Sequence, residues 1–257
     1  ASDDPTGGYP LVLKEIAEWM ESHQDLKVGQ GDALKEEEEE IAQNKTINAD
    51  KRISGAPGAP RSESDISINF FDPSKIISGS NNISGTGSQA MFYSTDGGGT
   101  WGQSSLPLMS PDAFHSDPTV DWTSDGRGWS STIGINSGGS QLRMRNYTST
   151  DNGATWTFES TFSGGQTSAD KQLVWIDHSP TSPYFNQTYA IWHNGLPAFM
   201  NRRTAGVAGT WAAPTQVSGA ESTGTAIGAD VKTNSAGDVF GFWPTTTNRK
   251  IFVVKST

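Results

Sequence analysis

The 257-residue chain has no cysteine, so no disulfide frames it. A eukaryotic secreted domain of this size would ordinarily carry disulfides, which leaves an extracellular bacterial protein or an intracellular one. Positive charge is scarce: 18 Lys and Arg face 28 Asp and Glu, a net charge of −10. Nucleic acids and anionic membranes both demand basic patches, so neither is an expected partner. No apolar run reaches the ~18 residues of a membrane span, and no signal peptide stands at the start. The opening Ala1-Ser2-Asp3-Asp4-Pro5 suits a mature terminus left after signal cleavage, so a secreted bacterial protein is the expectation.

Glycine (29 residues), serine and threonine are plentiful, with 9 Trp and 11 Phe, a composition that favours short strands and turns. One phrase recurs. Ser94-Thr95-Asp96-Gly97-Gly98-Gly99-Thr100-Trp101 returns as Ser149-Thr150-Asp151-Asn152-Gly153-Ala154-Thr155-Trp156. The interval from Trp101 to Trp156, taken once more, leads to Trp211, which follows Gly209-Thr210. The chain ends on Lys255-Ser256-Thr257, the opening of one more copy. A fixed period of roughly 50 residues marks a repeat architecture, here a β-propeller. The phrase suits a tight turn between antiparallel strands. Its Asp accepts backbone N–H bonds, its Gly takes a positive φ, and its Trp opens the next strand and packs between strands.

In this form the phrase matches the Asp-box, or bacterial neuraminidase repeat, and the chain from about Ser64 resembles the sialidase-like superfamily of propellers. The resemblance implies an all-β fold of four-stranded antiparallel blades. It places Ser94, Asp96, Gly98, Trp101, Ser149, Asp151, Gly153 and Trp156 on the blade rim as structural residues. It also implies six or seven blades, whereas residues 61–257 supply three complete blades and most of a fourth. A longer protein, or a second fragment or copy completing the ring, is the corresponding expectation.

Residues 1–60 lie outside the repeat. Leu13, Ile16, Ala17 and Met20 follow helical spacing from Pro10 to Ser22, and a second helix is expected from Asp32 to Gln43 through an acidic run. The stretch Ser54-Gly55-Ala56-Pro57-Gly58-Ala59-Pro60 reads as a linker. Within the repeat, innermost strands are expected at Ile66–Phe70, Thr119–Trp122, Leu173–Ile176 and Val231–Thr233. Second strands are expected at Lys75–Ser80, Gly128–Thr132, Thr188–Trp192 and Val239–Trp243. Third strands run into the repeated phrase, and fourth strands start at Trp101, Trp156 and Trp211.

Ligands of propellers sit at the central mouth, where the innermost strands begin. Asp65, Asp117, Asp170 and Asp230 precede those strands at nearly even intervals, which suggests a ring of carboxylates. Such a ring repels itself unless pKa values rise, a hard cation such as Ca2+ binds, or backbone N–H groups bond the carboxylates. Asp117 with His115 is the acid/base candidate, and Trp129 and Tyr184, beside turns, are candidate sugar-stacking platforms. His115, His178 and His193 lack a tight ligand spacing. Sialidases hold a carboxylate with three arginines and use a Tyr nucleophile. Arg52-Ile53-Ser54 and Pro60-Arg61-Ser62 do not match the family's Arg-Ile-Pro motif, and Arg143, Arg145, Arg202 and Arg203 fall on third strands away from the axis. The resulting expectation is a propeller that binds glycan or protein at its mouth. The alternative is an exo-sialidase-like glycoside hydrolase whose remaining catalytic residues lie beyond residue 257.

Overall fold

A computed structural model describes residues 51–55, 60–82, 87–246 and 249–256. The chain divides between Lys51 and Arg52, and the second unit is the one described. Both expected N-terminal helices, and most of the linker, lie outside the described residues.

The described chain is all β. The first sheet is formed by β1 (Arg61–Ile68), β2 (Ile76–Asn82), β3 (Ala90–Ser94) and β4 (Gly102–Ser105). The second holds β5 (Asp112–Trp122), β6 (Gly128–Asn136), β7 (Leu142–Ser149) and β8 (Thr157–Thr161). The third holds β9 (Ala169–Ile176), β10 (Thr188–Asn194), β11 (Ala198–Arg203) and β12 (Thr215–Gln216). The fourth has β13 (Asp230–Thr233), β14 (Val239–Pro244) and β15 (Ile251–Lys255). Each sheet is an antiparallel meander in chain order, as short hairpin connections require.

Successive sheets stack face to face through apolar clusters. Ile77, Met91, Leu106, Val120, Trp122, Tyr147 and Trp156 fill the space between the first and second sheets. Ile133, Met144, Phe162, Ala169, Ala190 and Trp192 join the second to the third. Tyr189, Ile191, Ala198, Ala226, Val231, Val239 and Trp243 join the third to the fourth. Period-2 alternation does this work: along β14, Val239, Gly241 and Trp243 turn inward while Phe240, Phe242 and Pro244 turn away. On the faces of the end sheets turned away from these clusters, Ile66 and Ile68 of β1 are 58% and 57% exposed and Ile251 and Val253 of β15 are 65% and 67% exposed, whereas Ile76 and Phe92 of the first sheet are buried.

The two repeated phrases form the same turn, bond for bond. Ser94 Oγ donates to Asp96 Oδ1 (2.8 Å) and accepts from Gly98 N (2.9 Å), while Asp96 accepts from Thr100 N and Oγ1 (2.8 and 2.7 Å). Ser149, Asp151, Gly153 and Thr155 repeat these four bonds at 2.8, 2.8, 2.9 and 2.6 Å. Gly98 and Gly153 hold φ of 92° and 93°, a backbone that a side chain resists. The second turn packs on the first sheet, where a Cβ at Gly153 would lie 2.8 Å from Ile77 Cγ2. Ser104 Oγ ties the same turn by donating to Gly153 O at 2.6 Å.

Candidate functional site

Strand register defines which positions are equivalent in the four sheets. Ile68 pairs with Ile76, Trp122 with Gly128, Ile176 with Thr188 and Thr233 with Val239. Ile76 and Gly128 in turn pair with Ser94 and Ser149, the first residues of the two turns. Counting back from these pairs, Asp65 and Asp230 share one position, with Thr119 and Leu173 as their counterparts. Asp117 lies two residues earlier and Asp170 three. The four aspartates therefore do not form the single ring that their spacing suggests. The innermost strands begin earlier than expected, and β1, β5 and β9 each carry an irregularity in register, between Ser62 and Asp65, between Ser116 and Thr119, and opposite Ile191 and His193.

Those bulges build the site. Glu63, Asp117 and Lys171 occupy one bulge position in three successive sheets, and all three are left-handed, with φ of 46°, 52° and 52°. Gly228 fills the fourth equivalent position at φ 53°. A bulge re-aims its extra side chain, and left-handed backbone in residues with a Cβ is strain that surrounding structure must hold. Here the re-aimed side chains converge. Lys171 Nζ lies 2.9 Å from Glu63 Oε1 and 2.8 Å from Asp117 Oδ2.

Asn81 fixes both acids, donating from Nδ2 to Glu63 Oε2 at 2.7 Å and accepting from Asp117 N at 2.9 Å. Ser116 Oγ donates to Asp117 Oδ1 at 2.6 Å, and Gln172 Nε2 donates to Asp117 O. Glu63, Asp117, Lys171 and Gln172, with Asp65, Thr119 and Leu173 among others, line an open cleft of about 310 Å³ where the innermost strands begin.

Burial alone would raise the Asp117 carboxyl, but hydrogen bonds with Glu63, Lys171 and Ser116 hold it below the usual carboxylate range. Against the cost of burial, the two acids hold the Lys171 ammonium above its usual value. Asp65 is pushed up by burial, although the N–H groups of Val120 and Ile66 bond its two oxygens at 2.8 and 2.9 Å and oppose the shift. Among the described lining residues the cleft thus carries three acidic groups, one ammonium and no arginine.

The other sequence candidates fall elsewhere. His115 points into the interior between the first two sheets, where Gln89 N donates to its Nδ1 at 3.3 Å and Tyr147 Oη lies 3.3 Å from its Nε2. Burial, with Arg145 nearby, lowers its pKa to about 4. His115 therefore turns away from the cleft that Asp117 faces. Trp129 is 2% exposed and lies under the Arg203 guanidinium, 4.7 Å from its ring, so it offers no open stacking face.

Tyr184 is 44% exposed, but it sits in the loop after β9, at the far end of the strands from the cleft. Asp170 Oδ1 accepts from Lys171 N at 2.9 Å, and Asp230 Oδ1 accepts from Val231 N and Lys232 Nζ at 2.7 and 2.8 Å. Backbone N–H groups and lysines supply the compensation that these carboxylates need. Among the described residues, no group of three or more His, Asp or Glu is placed to hold a metal ion. Arg145 is committed to Asp112, with Nε and Nη2 donating to its two oxygens at 2.8 and 2.6 Å.

Glu63 and Lys171 escape a reading for aspartates. Their signal is periodic all the same: positions 63, 117 and 171 fall at equal intervals along the chain.

No protein-family model matches the chain, and no curated protein matches it. Solved structures share its fold. The alpha-L-arabinanase of Penicillium chrysogenum, solved with arabinobiose, gives a TM-score of 0.57 at 13% identity, over 76% of this chain and 62% of that one. The GH93 alpha-L-arabinofuranosidase of Fusarium graminearum gives 0.56 at 13% identity, over 76% and 62%. A protein of unknown function from Dyadobacter fermentans gives 0.59 at 14% identity, over 79% and 62%. The chain spans about three fifths of the length of these structures. The likeness shows the β-propeller fold alone and does not single out sialidases.

Proposed function

We propose that this chain binds a neutral glycan in the cleft where β1, β5 and β9 begin. The observation that carries the reading is the convergence of Glu63, Asp117 and Lys171 from equivalent left-handed bulges of three sheets. Carboxylates accept hydrogen bonds from sugar hydroxyls, and a lysine held between them donates to ring or hydroxyl oxygens. Gly228, at the fourth equivalent position, contributes no side chain and leaves that quadrant open to a sugar ring.

Charge favours a neutral ligand. An anionic sugar would meet Glu63, Asp65 and Asp117, and the one ammonium is already shared by two of them. That composition lends no support to a sialic-acid site. The arabinobiose bound to the Penicillium arabinanase supports arabinose-containing oligosaccharides as the first class to examine.

Hydrolysis is the second reading, favoured by the paired carboxyl groups of Glu63 and Asp117, since glycoside hydrolysis commonly uses two. In that chemistry Asp117, held ionised by Lys171, would act as base. Asp65 is a poor general acid, because both its oxygens accept backbone N–H bonds.

Calorimetric titration of the intact protein with neutral arabino-, xylo- and galacto-oligosaccharides, beside uronic and sialic acid sugars, tests the reading. Saturable binding of a neutral oligosaccharide, abolished by Asp117→Asn, is the expected result. Tight binding of an anionic sugar alone, or no binding by any member of the panel, would overturn it.

A further inference from the structure

Asn81 of the first sheet has a third-sheet counterpart of different chemistry. Asn81 pairs with Ser62 and His193 with Asp170, and those partners directly precede the bulge residues Glu63 and Lys171. Asn81 is used up within the protein: it donates to Glu63 of its own sheet and accepts from the N–H of Asp117, the next sheet's bulge residue. His193 faces the fourth sheet, because Ile191, two residues earlier on β10, belongs to the cluster between the third and fourth sheets. The bulge residue there is Gly228.

His193 makes no equivalent bond. Its Nδ1 lies 2.7 Å from Gly195 O, which can only accept, so in the neutral imidazole the hydrogen sits on Nδ1 and Nε2 keeps its lone pair. Nε2 is buried and has no hydrogen-bond partner among the described residues. Asp170 Oδ2 stands 3.9 Å away, too far for a hydrogen bond, while Oδ1 accepts from Lys171 N. Two acceptors therefore stand side by side with no donor between them, an arrangement unfavourable until donors arrive.

The pair adjoins the cleft. Asp170 leads directly into Lys171, and Gly228 adds no side chain to the quadrant between the third and fourth sheets. The Asp170 side chain is 40% exposed, against 11% for His193, so a ligand enters from the Asp170 side.

We infer that His193 Nε2 and Asp170 Oδ2 together receive a vicinal diol of the glycan. One hydroxyl carries a single hydrogen and satisfies one acceptor, whereas hydroxyls on adjacent carbons offer two hydrogens to two neighbouring acceptors. The inference rests on the glycan reading of the cleft and names the part of the sugar that is read at this edge.

The test is calorimetric titration of the intact protein at mildly alkaline pH, which keeps the imidazole neutral. Arabinobiose, xylobiose and galactobiose are titrated first, then every monodeoxy analogue of the disaccharide that binds. Two analogues lacking adjacent hydroxyls should bind the wild type roughly tenfold more weakly. His193→Phe should weaken the parent disaccharide by a similar factor and cost one of those two analogues nothing further. In the wild type the imidazole Nε2 resonance should shift as sugar is added, a readout that needs no variant. Binding that leaves Nε2 unmoved, or a His193→Phe penalty equal for the parent and every analogue, would overturn the inference and leave the cleft reading standing. No binding by any of the three disaccharides would overturn both.

Discussion

Asp65 in the first sheet accepts a hydrogen bond at 2.8 Å from the backbone N–H of Val120 in the second, and Asp121 repeats it at 2.8 Å on Ile176 in the third. Each aspartate also accepts from the N–H of its own next residue, at 2.9 Å in both cases. One carboxylate thus fixes the stagger of two innermost strands, which sets where the bulges of neighbouring sheets meet.

Removing such a tie should cost stability. Asp121→Ala leaves the Ile176 N–H buried without a partner and is expected to destabilise by about 1–3 kcal/mol, read from the midpoint of denaturant unfolding. Asp65→Ala should cost less, because Asp65 is half-buried where Asp121 is buried. Equal midpoints for wild type and Asp121→Ala would refute the tie.

The two turns offer a matched pair of glycines. Gly98 and Gly153 have nearly the same φ, so an alanine carries the same backbone strain at either. A Cβ at Gly98 meets nothing closer than 3.8 Å, whereas at Gly153 it meets Ile77 and Tyr93 of the preceding sheet at 2.8 and 3.0 Å. Gly153→Ala should therefore be the more destabilising, by roughly 1–3 kcal/mol for the overpacking alone. Equal losses of stability would show that the second turn does not pack on the first sheet.

His115 predicts a pH dependence. Unfolded, it titrates near its ordinary value of 6.5, and folded at about 4. Between those values the unfolded chain binds the extra proton, so stability falls as pH drops from 6.5 toward 4, by on the order of 3 kcal/mol at most. His178 has the opposite sense, because the Asp121 carboxylate 3.1 Å away outweighs burial and raises its pKa. Its contribution is present below 6.5 and lost as pH rises through the folded value. His115→Gln should flatten the acid limb of a melting-temperature profile and leave the alkaline limb in place.

The turns themselves resist acid. Bonds from Thr100 and Ser94 hold the Asp96 carboxyl at about 2, so its contribution is complete above the unfolded value near 3.9 and disappears as pH falls through 2. Asp96→Asn should remove that part of the acid transition, and an unchanged acid limb would contradict the bonding.

Much of this architecture is legible in the sequence. Second and third strands start within a residue of where they are expected, because each is anchored by the repeated turn and by period-2 alternation, although β6 runs four residues past the expected Thr132 to Asn136. The innermost strands extend further back than expected, since Ser62, Ser116 and Asp170 precede bulges that break the alternation. The site is half hidden for the same reason. A bulge shifts register by one residue, so aspartates that look equivalent by spacing face different ways, and the true equivalents differ in chemistry: Glu63, Asp117, Lys171 and Gly228. Tyr184 is exposed as expected, but strand direction puts it at the opposite end.

Lys171 links the site's charge to its function. Lys171→Met should raise the Asp117 pKa, because burial is then opposed only by the hydrogen bonds with Glu63 and Ser116 and no longer by the ammonium. Carboxyl carbon shifts followed against pH report this directly, and an unmoved titration would exclude the ion pair.

Entry of ligand into the cleft between the bulges is tested most directly by a backbone amide shift map of the protein titrated with arabino-oligosaccharide. Changes centred on Glu63, Asp117, Lys171 and Gly228, absent in Asp117→Asn, are the predicted result. Changes centred instead on Tyr184 and Gly237, or none at saturating sugar, would contradict it.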